Sequence, residues 1–365
     1  MTTEQVSLLH SVIGGMAKVA ADSSNTSSSA AGGGGGATGG GTTLSSSPLI
    51  VLYLDPDFVR ISTKGGGVAG STCCFAELRA RDGLFLEHKI ESAAENVIVL
   101  QVDVLSLKLA LNSVLSSSRG GGMTGGNRNN VSMNGSNRGD ALASIYGPQQ
   151  SHLVVIKLAK RSNLPCLCLD GMATASSGGG DGSAVEIHQA IPVRILRSTE
   201  MQYHLPPQIN MPSVQLELCT LDRRSIFLKG VVDKLRSMGP HLYLEASMKG
   251  NLTIRLDHEG ASLACFYHQL VPRWDDDDDT GNDEDGGMKE RDINSHCTLK
   301  VDSHKLWTCL QWQQPNSASS FVSSCLLGMV ENEMLVMHIV LHPPSIGFFT
   351  YYIPVHFLRE DEDLS

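Results

Sequence analysis

Nowhere in these 365 residues do apolar side chains run for the roughly 20 consecutive positions that a membrane-crossing helix needs. The opening stretch Met1 to His10 lacks the basic-then-apolar layout of a secretory signal, so a soluble intracellular protein with no membrane partner is expected. The nine cysteines have no framework spacing, the adjacent Cys73 and Cys74 included, which points to free thiols in a reducing compartment. Triplets such as Asn251 to Thr253 then carry no meaning as glycosylation sites. Phosphate-cradling loops are missing too. Neither Gly32 to Gly36 nor Gly65 to Gly67 precedes a Lys-Ser/Thr pair at a helix start, and Thr63-Lys64-Gly65 has the order reversed. Cys166 and Cys168 share one strand face, but no second Cys or His pair at zinc spacing accompanies them. They read as buried small hydrophobes, with no metal and no cofactor expected. No nucleophile motif frames any cysteine or histidine, which argues against a thiol enzyme.

Basic residues are in short supply as well. Lys and Arg number 28 against 38 Asp and Glu, a formal net charge of −10 that argues at first against a nucleic-acid partner. The distribution of the charge changes that reading. Asp275 to Asp279, Asp283, Glu284, Asp285 and Glu290 crowd one run beside Lys289 alone, and Glu360 to Asp363 follow Arg359 in the tail. Neither run has EF-hand spacing, so both read as solvated charge. Outside them acids and bases nearly balance, which leaves room for a local basic face.

Four segments hold too few apolar residues to join a core: 22–47, 116–150 and 172–182, rich in Gly, Ser and Asn, and the acidic 273–291. They read as insertions at surface turns, where extra length costs little closure entropy. With them set aside a repeated order emerges. Val6, Leu9, Ile13, Met16 and Ala20 form one face of a first helix. Strands are predicted at 49–54, 58–62, 72–78, 84–90 and 97–102. Asp103 then caps a helix facing inward through Leu107, Leu111, Val114 and Leu115. Further strands are predicted at 152–158, 164–169 and 185–196.

The second half repeats this. A strand near 214–218 leads to a helix over about 222–237 with Leu228, Val231, Val232 and Leu235 on its apolar face. A hairpin follows, 242–246 and 252–256 joined through Met248 to Asn251, and then a strand at 262–268. After the acidic run, 297–301 enters a helix from Ser303, capped by Asp302, with Leu306, Cys309 and Leu310 inward. Strands at 321–330, 334–341 and 348–355 close the chain. Two similar α+β domains are expected, 1–196 and 214–358, joined by a connector at 197–213 and followed by the acidic tail 359–365. Each is an antiparallel sheet with two helices on one face.

Several segments in this order resemble a known family. The run Phe227 to Arg236 followed by His241 to Ala246, Ser92 to Val102 entering the helix at Asp103, Leu164 to Leu167, and Ile191 to Ile195 are similar to Hus-family subunits of the DNA-damage checkpoint clamp, the 9-1-1 complex. So are Asp302 to Leu306 with Gln313-Gln314, and Tyr351 to Pro354. The resemblance lies in order and spacing across most of the chain outside the insertions. It implies a DNA-clamp fold and a non-enzymatic subunit of a heterotrimeric ring in the nucleus, with two other clamp subunits and a clamp loader as partners. Double-stranded DNA would pass through the hole without sequence readout, lined by helices. A replicative homotrimeric clamp is the alternative reading. The residues then implied to meet phosphate are Lys229, Lys234 and Arg236 on the second-half helix with Arg223 and Arg224 nearby, and Lys18, Lys108 and Lys305 on the other three.

Overall fold

The computed structural model describes residues 1–29, 47–63, 70–81, 83–118, 153–174, 184–197, 200, 205–219, 227–258, 260–273, 294–313, 321–343 and 345–356. Arg223 and Arg224 therefore lie outside the described residues, as do most of the four low-complexity segments.

The N-terminal half carries α1 (Thr3–Ser29), β1 (Leu49–Leu54), β2 (Phe58–Thr63), β3 (Cys73–Arg79), β4 (Ile98–Asp103), α2 (Val104–Ser118), β5 (Val154–Arg161), β6 (Leu164–Thr174) and β7 (Ala184–Ile195). The C-terminal half carries β8 (Val214–Cys219), α3 (Leu228–Leu235), β9 (His241–Ser247), β10 (Asn251–His258), β11 (Ala261–Tyr267), β12 (Val271–Pro272) and β13 (His296–Asp302). It ends with α4 (Ser303–Cys309), a 3-10 turn at Leu310–Gln313, β14 (Val322–Val330), β15 (Met334–Leu341) and β16 (Gly347–His356).

Hydrogen bonding follows one path through most strands, β11-β10-β9-β13-β16-β3-β2-β1-β4-β7-β6-β5, with β12-β8-β14-β15 branching onto β16. Among the described residues every ladder between the named strands is antiparallel, and the halves meet where Gly347 to Tyr352 of β16 pair with Cys73 to Leu78 of β3. The two ends of the path, β5 and β11, are edge strands. One hydrophobic cluster spans both halves and includes Ile13, Leu111, Leu235, Leu306 and Tyr351.

Local chemistry explains the boundaries. At the start of α1, Thr2 and Gln5 form a reciprocal capping box: the Gln5 amide donates to Thr2 Oγ1 at 3.3 Å, and the Thr2 amide donates to Gln5 Oε1 at 2.8 Å. The Asp103 carboxylate accepts from the Ser106 amide at 2.7 Å, and Asp302 accepts from His304 and Lys305, so both predicted caps are present. Gly250 closes the β9–β10 turn at φ +81°, where an added Cβ would lie 2.3 Å from the Leu270 carbonyl oxygen.

Four expectations need correction. Residues 84–90 form no strand: the chain turns back after Arg79, with the amides of Leu84 and Phe85 bonded to the Arg79 and Ala80 carbonyls. Burying Leu84 completely outweighs the strand preference of its neighbours. The segment beginning at Asp22 is not wholly an insertion, since α1 continues to Ser29 and Asp22 accepts from Thr308 Oγ1 at 2.6 Å. Likewise β6 runs to Thr174, into the segment set aside at 172–182, because pairing with β7 carries the hairpin outward. Finally, α1 buries Leu8, Val12 and Val19 beyond its expected stripe, because α2 and α4 pack on either side of it.

Candidate nucleic-acid interface

The four helices form a contiguous layer. α2 packs on β4, β6 and β7, α1 on β2 and β3, and α4 on β13 and β16, while α1 touches both α2 and α4, and α4 touches α3. Each is held by its apolar side: Leu107, Leu111 and Val114 of α2, Leu228, Val232 and Leu235 of α3, and Leu306 and Cys309 of α4 are buried. Val231 is only half-buried. What remains outward is short of acid.

Lys18, on α1, donates to Gln311 Oε1 of the 3-10 turn at 2.8 Å. Its ammonium is half-buried, and burial first, then the charges of Lys108 on α2 and Lys229 on α3, lowers its pKa from the ordinary lysine value. Cations from three helices thus gather around one point of the layer. Lys229 of α3 and Arg236, which caps its C-terminus, lie two turns apart and both face Trp307 of α4, the ammonium at 5.6 Å and the guanidinium at 3.9 Å from the ring centroid. Arg236 also pairs with Asp233 at 3.0 Å, and it is first among the groups that hold the Asp233 carboxyl below its ordinary range. Lys234 is exposed, turned about 140° from Lys229 on the helix. Lys305 donates to the Gly70 carbonyl at 2.6 Å, which ties α4 to the loop before β3.

The structure therefore brings Lys18, Lys108 and Lys229 together, joins Arg236 to them through Trp307, and leaves Lys234 and Lys305 at the margins. Trp307, Gln311 and Gln313 were not among the sequence-predicted site residues. Gln313 Oε1 accepts from the Lys229 amide at 3.0 Å, and so fixes the start of α3. Trp307 packs partly against the core and carries the two cations on its ring, and nothing in its own sequence neighbourhood announced that.

On the opposite face of the sheet, a groove of about 360 Å³ lies under Leu205 and Pro206, lined by Val51, Tyr53, Phe75 and Tyr352 among others. Burial pushes Cys73 up to about 12 and Cys297 up to about 11, and holds Cys74 and Cys309 well above the ordinary thiol value. Among the described residues no helix is long and apolar enough to cross a membrane, and no cluster of His, Cys, Asp and Glu has the makings of a metal site.

Comparison with known proteins fits this geometry. Residues 45–356 match the family model described as Hus1-like protein. The checkpoint protein hus1 of Schizosaccharomyces pombe is 23% identical over 286 residues, which span 75% of this chain and 79% of that protein. The human checkpoint protein HUS1 is 22% identical over 204 residues, 55% of this chain and 64% of that one. Among solved structures, a chain from the PCNA2-PCNA3 complex of Sulfolobus tokodaii superposes with a TM-score of 0.50 over 84% of this chain and 90% of that one. Its 11% identity makes the likeness one of fold alone. With a clamp fold in place and a family match that runs from the first strand to the last, the chain belongs to the Hus1-like protein family.

Proposed function

We propose that the chain is a non-enzymatic subunit that joins two other clamp subunits in a heterotrimeric ring, placed by a clamp loader around double-stranded DNA in the nucleus. The two halves act as clamp domains, 1–196 and 214–358, linked through 197–213, with 359–365 as a tail. The observation that carries the reading is the continuous helix layer, on which Lys18, Lys108 and Lys229 converge across three helices. Such a face neutralises phosphates without touching base edges, which suits a protein that slides. Lys234, Arg236 and Lys305 extend it, and Arg223 and Arg224 are assigned to it from sequence order. The outer edges of β5, beyond its bonds from Val154 to Met1, and of β11 are the natural joints with neighbouring subunits. The groove beneath Leu205 and Pro206 suits recruitment of signalling and repair factors on the outer face. No metal, cofactor or catalytic group enters this mechanism, which is topological.

The test is the molar mass of the full chain by light scattering, alone and mixed with the other two clamp subunits of the same organism. A 1:1:1 complex is expected from the mixture and no trimer from the chain alone. A stable homotrimer of the isolated chain refutes the heterotrimer in favour of a replicative clamp.

A further inference from the structure

Two buried amides stand behind the cations of the helix layer. The 3-10 turn Leu310–Gln313 follows α4, and all four of its side chains are buried. Leu310 and Trp312 join the core, while Gln311 and Gln313, being polar, must find partners at its edge. Gln311 Nε2 donates to the Trp307 carbonyl at 2.9 Å, one turn back, and this bond sets which way the amide faces. Its Oε1 is thereby turned toward α1, where Lys18 Nζ donates to it at 2.8 Å. Lys18 needs such a partner, because its ammonium is half-buried beside the like charges of Lys108 and Lys229. The nearest acid along α1, Asp22, faces α4 instead: it accepts from Thr308 Oγ1 at 2.6 Å and lies 3.7 Å from His304 Nε2. Left without an acceptor, a partly desolvated cation among like charges gives up its proton or swings out to water.

The kind of acceptor decides what the cation can do. A carboxylate in place of the amide would hold the ammonium but cancel its charge, whereas a neutral carbonyl holds it and leaves the charge to be met from outside. An ammonium has three donors, and the bond to Gln311 uses one of them. We infer that Gln311 is a positioning residue for DNA binding: its carbonyl fixes the Lys18 ammonium where Lys108 and Lys229 converge and keeps it available to a phosphate. The inference rests on the proposed ring and gives a buried, uncharged side chain a part in phosphate binding. A Gln311 that only braced the turn through Trp307 would affect stability and leave the salt dependence of DNA binding alone.

The experiment measures DNA affinity over a salt series for rings assembled from the full chain and the other two clamp subunits of the same organism. The chain carries Gln311→Glu, Gln311→Met, Lys18→Met or the Lys18→Met/Gln311→Met pair. Gln311→Glu keeps the size and the acceptor and adds a charge, so its ring should bind several-fold more weakly, with a salt slope lower by about one unit, as should the Lys18→Met ring. Gln311→Met should weaken binding in the presence of Lys18 and change nothing further once Lys18 is Met. Should the Gln311→Met chain fail to fold, the nearly isosteric Gln311→Glu decides by its slope alone. If Lys18→Met or Gln311→Glu leaves affinity and slope unchanged, or Gln311→Met weakens binding equally with and without Lys18, the inference is overturned and the ring reading stands. If the wild-type ring does not assemble or does not bind DNA, both fall.

Discussion

Tyr351 sits at the centre of the molecule, wholly buried, and its hydroxyl has no hydrogen-bond partner among the described residues. Burial pushes its pKa well above the ordinary tyrosine value, so the ring stays neutral. A Cβ added at Gly15 of α1 would lie 2.9 Å from that oxygen, which accounts for glycine in mid-helix. Tyr351→Phe should therefore be neutral or stabilising by up to about 1 kcal/mol, because it removes an unmatched buried polar group. Gly15→Ala should destabilise the wild type by about 1–3 kcal/mol through overpacking, yet cost far less in the Phe background, where helix propensity favours alanine. Denaturant unfolding of the two single variants and the double variant checks this. His338 gives a pH signature. Burial lowers its pKa below the ordinary 6.5, with Nδ1 2.9 Å from Thr350 Oγ1. The unfolded chain then binds the proton more readily, so this residue's contribution is present above the ordinary value and is lost as pH falls below it. Melting temperature measured between pH 7 and 5 should fall, and His338→Gln should flatten the fall.

At the scale of elements, what could be read from sequence was whatever has a local cause. The caps at Asp103 and Asp302, the Gly250 turn and the alternation of β9 and β10 each depend on a few neighbouring residues, and all stand where their pattern put them. The failures have distant causes. Leu84 to Ile90 look like a strand, but the pull of the core on Leu84 folds them into a turn, and no neighbour in sequence announces it. Asp22 heads a polar, Gly-rich stretch, yet its carboxylate finds Thr308 nearly three hundred residues away. The rest of these segments lies outside the described residues, and for it the composition argument is a prediction. A chain lacking 30–46, 120–150 and 275–290 should keep a single cooperative melt within a few degrees of the wild type, since loop shortening changes closure entropy only slightly. Asp22→Ala, by contrast, should cost about 1 kcal/mol through the Thr308 bond. Loss of cooperativity in the deletion, or a neutral Asp22→Ala, would show that the boundary is drawn in the wrong place.

For the whole molecule, the fold class followed from the repeated order of elements, while the convergence of cations did not. Lys18, Lys108 and Lys229 are dispersed over more than two hundred residues, and only the packing of α1 against α2 and α4 gathers them. Trp307 was hidden for the same reason: its partners Lys229 and Arg236 lie on another helix. The central claim is that this layer faces DNA inside the ring. The direct measurement is DNA affinity of the assembled ring over a salt series, wild type against Lys18→Ala/Lys108→Ala/Lys229→Ala. The account predicts an intact ring, weaker binding on every sequence tested, and a salt slope lower by about one unit for each phosphate that the helix layer no longer neutralises. An intact mutant ring with unchanged affinity and unchanged slope would contradict it.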